Sequence, residues 1–332
     1  MTAHSASQER ARPLSGHLHP EVAAYLEQQA ALGLPTIDSL PLAQTRAGFA
    51  RVLAQCGGPR QPVARIEDLT LPGPRVGGAA GPDLAARLYH PQPDRQLGVL
   101  VYFHGGGWVI GDLDTHDALC RDLAVHGECA VLAVDYRLAP EHPFPAAVDD
   151  ARAALHWCAA HGGALHLDPT RVAVGGDSAG GNLAAVLALD SRDGGLALAF
   201  QLLIYPAIDL GSLDTESYRQ CASGFGLTRA DVAWFLEQYF GADDASRHDW
   251  RASPLRAPDL RDLPPALVMT AEFDVLRSEG EDYAVALEAA GNAVTLRRYD
   301  GATHGFMSMA GLFELGRQGR RDAAAALKAA LG

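Results

Sequence analysis

The chain has 332 residues, of which 48% are hydrophobic and 20% are charged, and its formal net charge is −13. This composition is typical of a globular protein, and the acidic balance argues against nucleic-acid binding, which needs a local surplus of Lys and Arg. No apolar run is long enough to span a membrane and the N-terminus lacks the apolar segment of a secretion signal, so no membrane association is predicted. The five scattered cysteines favour free thiols in a reducing cytoplasm, and no metal-site spacing is present.

In chain order, the N-terminal region reads as two helices, one over residues 20–34 and a second capped by Ser39 and ended by Gly57 and Gly58. From about residue 65, short apolar strands alternate with amphipathic helices. The predicted strands cover residues 65–71, 84–90, 98–103, 130–134, 171–174, 199–205, 266–271 and 293–299. Such alternation predicts an α/β fold, with a mostly parallel sheet covered by helices on both faces and ligands bound beyond the carboxyl ends of its strands.

One segment interrupts the alternation, between the strand ending at Tyr205 and the strand starting at Ala266. It contains an aromatic helix over residues 228–240, with Thr228 and Asp231 in the spacing of a capping box. We therefore predict a catalytic domain over residues 59–332 and a helical cap. The cap would combine residues 1–58 with an insertion at about residues 208–255.

A candidate nucleophile lies in Gly176-Asp177-Ser178-Ala179-Gly180, which fits G-x-S-x-G between a predicted strand and a predicted helix. A serine on such a tight turn is held in strained geometry with its hydroxyl exposed, and the small flanking residues let strand and helix pass closely. The alternative is a glycine-rich turn with an ordinary serine, but the strand–turn–helix context favours catalysis.

A candidate oxyanion hole follows the apolar strand 98–103, in His104-Gly105-Gly106-Gly107-Trp108. Backbone N–H groups can stabilise the negative charge that develops on a carbonyl oxygen during acyl transfer. Gly105 and Gly106 are expected to supply two donors and Ala179 a third. A flexible loop or a phosphate cradle is the alternative, although neither common phosphate-binding motif is present.

The candidate base and acid are His304 and Asp274, which follow two consecutive predicted strands. Both should therefore emerge at the sheet edge that carries Ser178, and the order Ser, Asp, His is the one expected for this architecture. Among the neighbouring carboxylates, Asp282 falls inside a helix and Asp300 belongs to the loop of the histidine. Glu272 and Glu279 remain alternatives to Asp274.

Together these motifs resemble the hormone-sensitive-lipase-like, or bacterial group IV, carboxylesterases of the α/β-hydrolase fold. The resemblance also rests on the segments Asp135-Tyr136-Arg137-Leu138-Ala139-Pro140-Glu141, Asp274-Val275-Leu276-Arg277-Ser278-Glu279-Gly280 and His304-Gly305-Phe306. It implies an eight-stranded sheet with one antiparallel strand, a helical cap, no cofactor and, in many members, a homodimer. The family usually has Pro and Asp where this chain has Val275 and Ser278, which puts the rigidity of the acid loop in question.

The sequence thus predicts a serine carboxylesterase that hydrolyses small short-chain acyl esters through Ser178, His304 and Asp274, with an acyl-enzyme intermediate. Trp108, Trp234 and Phe235 are the expected aromatic residues of the substrate pocket. An amidase or deacetylase with the same triad is an alternative, because only the leaving group differs. A non-catalytic ligand-binding protein on the same scaffold is another.

Overall fold

The computed structural model describes residues 5–76 and 79–332, and eight strands in this part of the chain form a single sheet. The strands are β1 (Arg65–Leu71), β2 (Leu84–His90), β3 (Leu97–Phe103), β4 (Ala130–Asp135), β5 (Leu167–Asp177), β6 (Phe200–Ile204), β7 (Ala266–Phe273) and β8 (Val294–Thr303). Their order across the sheet is β1-β2-β4-β3-β5-β6-β7-β8. Only β2 runs antiparallel to its neighbours within this sheet, and the other pairs are parallel. A separate short ladder joins Arg75–Val76 to Ala79–Ala80.

The α-helices cover the sheet and form the cap. They are α1 (Ala6–Arg10), α2 (Pro20–Leu32), α3 (Leu42–Cys56), α4 (Asp117–Gly127), α5 (Ala146–His161), α6 (Ala179–Gly194), α7 (Glu216–Gln220), α8 (Arg229–Phe240), α9 (Arg277–Ala289) and α10 (Glu314–Leu331). Short 3₁₀ segments lie at Ile37–Ser39, Gly162–Leu165, Asp244–His248, Pro254–Arg256 and Phe306–Met309. No helix of the described residues combines the length and apolar character of a membrane span.

The core lies on both faces of the sheet, because successive strand residues point in opposite directions. In β3, Val99, Val101 and Phe103 join one hydrophobic cluster, whereas Leu100 and Tyr102 join the other. Every residue of this strand is buried. The continuous apolar run in the sequence is thus explained by burial on both faces. All five cysteines are buried and free.

The predicted start of the second N-terminal helix is wrong. Ser39 lies in a 3₁₀ turn, where its hydroxyl donates to the carbonyl of Thr36 at 2.7 Å. The helix begins instead at Leu42, directly after Pro41. A proline disfavours helical geometry in the residue before it but is itself compatible with a helix start, and Leu40 is extended accordingly.

The N-terminal segment also differs from its predicted place in the cap. Helix α1 packs on α9 and β8, where the N–H of Ala6 donates to Glu288 at 2.8 Å. Val22 of α2 is buried in the cluster on the sheet face that packs against α10. Residues near the start of the chain therefore cover the β8 edge of the sheet, and the part that reaches over the site lies between Ile37 and Leu53.

Candidate active site

Ser178 occupies a tight turn between the end of β5 and the start of α6. Its backbone angles, φ 55° and ψ −117°, are strained for a residue with a side chain. The flanking glycines are required by close approach: a Cβ on Gly176 would lie 2.4 Å from the backbone of Gly180, and one on Gly180 would lie 1.9 Å from the carbonyl oxygen of Phe103. The turn therefore holds the serine hydroxyl at the carboxyl end of the sheet, as the motif predicts.

The three residues predicted as a triad lie in one hydrogen-bonded row. His304 Nδ1 is 2.7 Å from Asp274 Oδ2 and its Nε2 is 3.0 Å from Ser178 Oγ. Because the carboxylate can only accept, Nδ1 carries the proton and Nε2 is free to accept from the serine hydroxyl. Asp274 is buried, and its other oxygen accepts from the N–H of Leu276 at 2.9 Å.

The two alternative acids contact other groups. Glu272 accepts hydrogen bonds from Ser15, Gly16 and Gly301, and Glu279 accepts from the N–H of Ile208 at 2.7 Å. Neither carboxylate is hydrogen-bonded to His304. The geometry therefore favours Asp274 as the partner of the histidine.

The oxyanion prediction for Gly105 is wrong, because its N–H donates to Asp177 Oδ1 at 2.9 Å. Gly106, Gly107 and Ala179 line the cavity instead, beside Ser178. Gly106 and Gly107 have φ of 121° and 58°, a region that glycine adopts without strain. The sequence interpretation did not single out Gly107 as a residue of the cavity wall, since nothing local shows which of the three glycines faces inward.

A buried polar network under the glycine loop explains this arrangement. The Asp177 carboxylate also accepts from Tyr102 Oη at 2.6 Å and lies 3.2 Å from His116 Nε2. Burial lowers the pKa of His104 to about 4, so the ring is neutral and its Nδ1 donates to the carbonyl of Gly105 at 2.8 Å. Tyr136 stacks on His104 and donates to its carbonyl at 2.8 Å, so Tyr136 supports the loop.

A largely apolar cavity of about 330 Å³ opens above Ser178. Trp108 and Phe235 line it as predicted, but Trp234 does not: it packs edge-on against Phe235 at 5.2 Å between ring centroids. The ring of Phe235 lies against the glycine loop, since a Cβ on Gly107 would meet it at 2.3 Å. Further wall residues come from both cap segments, namely Ile37, Phe49, Val52, Leu53, Leu227, Val232 and Leu236.

The acid loop, residues 274–280, is bound by the cap insertion at Ser278, one of the two positions where the loop departs from the family pattern. The N–H of Ser217 donates to Ser278 Oγ at 3.1 Å, and the N–H of Ser278 donates to Ser217 Oγ at 3.1 Å. Ser217 Oγ also donates to the carbonyl of Val275 at 2.6 Å. This reciprocal pair fixes the loop without the usual proline and aspartate.

A sequence-family model described as the alpha/beta hydrolase fold matches residues 100–308. The carboxylic ester hydrolase LipN of Mycobacterium tuberculosis is 47% identical over 281 residues, covering 82% of this chain and 71% of the relative. An ethyl acetate hydrolase of Pseudomonas putida is 39% identical over 312 residues, covering 91% and 96%.

Among solved structures, a thermostable esterase from Pseudomonas putida superposes with a TM-score of 0.88 at 37% identity. The match covers 96% of this chain and 99% of that esterase. The strand order, the motifs and these similarities agree over most of the sequence. The chain therefore belongs to the hormone-sensitive-lipase-like carboxylesterases of the α/β-hydrolase fold.

Proposed function

We propose that this protein hydrolyses short-chain carboxylic esters, with Ser178 as nucleophile, His304 as general base and acid, and Asp274 orienting the imidazole. One observation carries the proposal: Ser178, His304 and Asp274 form an unbroken hydrogen-bonded row at the floor of an apolar cavity. Such a row activates a serine hydroxyl that would otherwise be a weak nucleophile.

In the acylation step, Ser178 Oγ attacks the ester carbonyl carbon while its proton passes to His304 Nε2. The carbonyl oxygen becomes an oxyanion, which the N–H groups of Gly106, Gly107 and Ala179 stabilise. When the tetrahedral intermediate collapses, the bond to the alkoxy oxygen breaks and His304 returns the proton to the departing alcohol. The acyl group stays on Ser178 Oγ.

In the deacylation step, water attacks the acyl-enzyme while His304 Nε2 takes a proton from it. The second tetrahedral intermediate releases the carboxylic acid, and the proton on His304 returns to Ser178. Throughout, Asp274 accepts from Nδ1 and stabilises the imidazolium that forms in each half of the cycle. Besides the attacking water, the proposed scheme uses only these side chains and backbone donors.

The esterase proposal is preferred to its two rivals for separate reasons. An amidase would use the same residues, but the relatives named above are an ester hydrolase, an ethyl acetate hydrolase and an esterase. A purely ligand-binding protein would not require a base within hydrogen-bond distance of the serine. Comparing p-nitrophenyl butyrate with butyryl p-nitroanilide discriminates esterase from amidase, and turnover of either substrate excludes simple binding.

The direct test is Ser178→Ala, which removes one hydroxyl from the turn and leaves the backbone unchanged. We expect kcat for p-nitrophenyl butyrate to fall by about 10⁴-fold or more, as for the loss of other triad nucleophiles. Far-ultraviolet circular dichroism should match that of the wild type. Near-normal kcat in the variant would refute Ser178 as the nucleophile.

A further inference from the structure

The end of β8, just before His304, carries a bulge. Tyr299 pairs with Ala271 and Thr303 pairs with Phe273, so β8 contains two more residues than β7 over this stretch. A bulge redirects the following side chain, but it leaves backbone groups without partners in the sheet. Those groups need other partners if the loop is to hold His304 in one position.

Glu272 and the N-terminal segment supply these partners. The N–H of Gly301 donates to Glu272 Oε2 at 2.7 Å, and the N–H of His19 donates to the carbonyl of Gly301 at 3.0 Å. The same Glu272 carboxylate, which is 0% exposed, accepts from Ser15 Oγ at 2.5 Å and from the N–H of Gly16 at 2.9 Å. One carboxylate thus joins the bulge to a segment far away in the chain.

That segment, residues 10–19, is termed the strap, and it binds β8 at Arg298, just before the bulge, and at Asp300, within it. Arg12 makes two hydrogen bonds to Asp300, at 2.6 and 2.8 Å, and accepts one from Arg298 on its carbonyl at 2.8 Å. Arg298 is in turn held by a buried ion pair with Glu281 at 2.7 Å. The strap also passes close to Gly301, where an added Cβ would lie 2.5 Å from the nitrogen of His19.

We propose that Glu272, together with the strap, positions His304 for catalysis by holding the β8 bulge. Glu272 touches neither the reacting atoms nor the cavity wall, so it acts through Gly301 and the loop that follows. The inference rests on the proposed function of His304, and it assigns part of the N-terminal region to the catalytic machinery and not to the cap.

The test is Glu272→Gln. A glutamine offers one acceptor oxygen and an NH₂ donor, so it cannot accept from Ser15, Gly16 and Gly301 together. We expect kcat to fall by about 10- to 100-fold because a small displacement of a catalytic group has an effect of that size. KM should change little, because the cavity is intact. The low-field proton resonance of His304 Nδ1–H should shift or broaden as its bond to Asp274 loosens.

Two further variants make the test specific. Ser15→Ala removes one of the three hydrogen bonds to Glu272, and it should change kcat and the resonance in the same direction as Glu272→Gln but by less. This variant keeps the proposal testable if Glu272→Gln does not fold. Glu288→Gln is the matched control: Glu288 accepts from the N–H of Ala6 and Ser7 at 2.8 and 3.1 Å, on helix α1, which leads into the strap, but away from the bulge. It should lower stability and leave kcat and the resonance unchanged.

A Glu272→Gln enzyme with wild-type kcat and an unchanged resonance would overturn the proposal, as would an equal loss of kcat in Glu288→Gln. The resonance reports on His304 and Asp274 without any turnover. If Ser178→Ala remained active and the proposed function failed, the resonance would still test whether Glu272 and the strap position His304.

Discussion

At the scale of single residues, Asp177 determines which glycines face the cavity. Its carboxylate accepts the N–H of Gly105, which is therefore not available to a ligand in the cavity. Gly106 and Gly107 line the cavity beside Ser178 instead. Burial opposes the charged form of Asp177, but His116 and the Tyr102 hydroxyl outweigh it and keep the pKa of this carboxyl below its ordinary value. Asp177, next to Ser178 in the sequence, therefore anchors the glycine loop through its carboxylate.

Asp177→Asn should consequently weaken oxyanion stabilisation without changing the cavity. The amide lacks the charge and one acceptor of the carboxylate, so it cannot serve Tyr102, Gly105 and His116 equally well. We expect kcat to fall by about 10-fold or more with KM nearly unchanged, since oxyanion contacts form in the transition state and their loss costs up to 10²–10³-fold. Steady-state kinetics and the affinity for a trifluoromethyl ketone, a tetrahedral analogue, provide the measurement.

The control for Asp177→Asn is Asp135→Asn. Asp135 lies 4.0 Å from Nε2 of His104 and makes no hydrogen bond to the glycines. Its variant should keep kcat near that of the wild type at pH 8. Equal losses of kcat in the two variants would contradict a specific role of Asp177 in fixing the glycine loop.

At the scale of elements, helix α9 connects the acid loop to the cap insertion. Ser278 pairs with Ser217 of the insertion, and Glu279 accepts the N–H of Ile208 where the insertion begins. Burial raises the pKa of Glu279 well above its ordinary value, and the backbone donors of Ile208 and Asp209 offset this only in part. Folding thus favours the protonated form of Glu279 relative to the unfolded chain.

This predicts a pH dependence of stability. The folded state binds the Glu279 proton more tightly than the unfolded state does, so its contribution is complete below the ordinary pKa of Glu and is lost as pH rises towards the folded value. Glu279→Gln imitates the protonated form and should remove a slope of up to about 1.4 kcal/mol per pH unit. Urea unfolding between pH 5 and 8 measures it. The exposed Glu237→Gln should retain the wild-type slope, and parallel curves for wild type and Glu279→Gln would contradict the prediction.

What the sequence could predict follows from how far apart the interacting groups lie in the chain. The capping box of Thr228 and Asp231 is local, and both of its hydrogen bonds are present. The pairing of Ser217 with Ser278 and the contact of Glu272 with Ser15 join distant segments, so no spacing rule indicates them. Gly105 was misassigned for the same reason: the direction of its N–H is set by Asp177, which lies beyond the reach of any local pattern.

At the scale of the whole molecule, two distant cap segments are held over one sheet edge. Arg46 of α3 donates to the carbonyls of Val109 and Ala139 at 2.9 and 3.0 Å and binds Glu141 through both terminal nitrogens. This ion pair lowers the pKa of Glu141 to about 2. Helix α3 is thereby bound to the segment that follows the glycine loop, which carries the proposed oxyanion donors. The predicted homodimer and cytoplasmic location stay predictions.

The limited volume of the cavity sets an expectation for acyl length. Its volume of about 330 Å³ is near the lower end of the roughly 300–1,000 Å³ typical of ligand pockets. Each buried methylene adds about 0.8 kcal/mol of favourable transfer until the space is filled, after which steric exclusion dominates. For p-nitrophenyl esters, kcat/KM should therefore rise from acetyl, peak near butyryl or hexanoyl, and fall by dodecanoyl. A continued rise to palmitoyl would contradict the cavity argument.

Alanine variants of two neighbouring residues of α8 test whether the cavity wall sets the limit on acyl-chain length. Phe235 lines the cavity and packs on Gly107, whereas Trp234 lies outside the wall. Phe235→Ala removes a ring from the cavity wall and should move the optimum towards longer acyl chains, at the expense of kcat/KM for acetyl esters. Trp234→Ala removes an even larger aromatic side chain from the same helix and should leave the chain-length profile unchanged. If Trp234→Ala moved the optimum and Phe235→Ala did not, the limit would arise from the cap surface and not from the cavity next to Ser178.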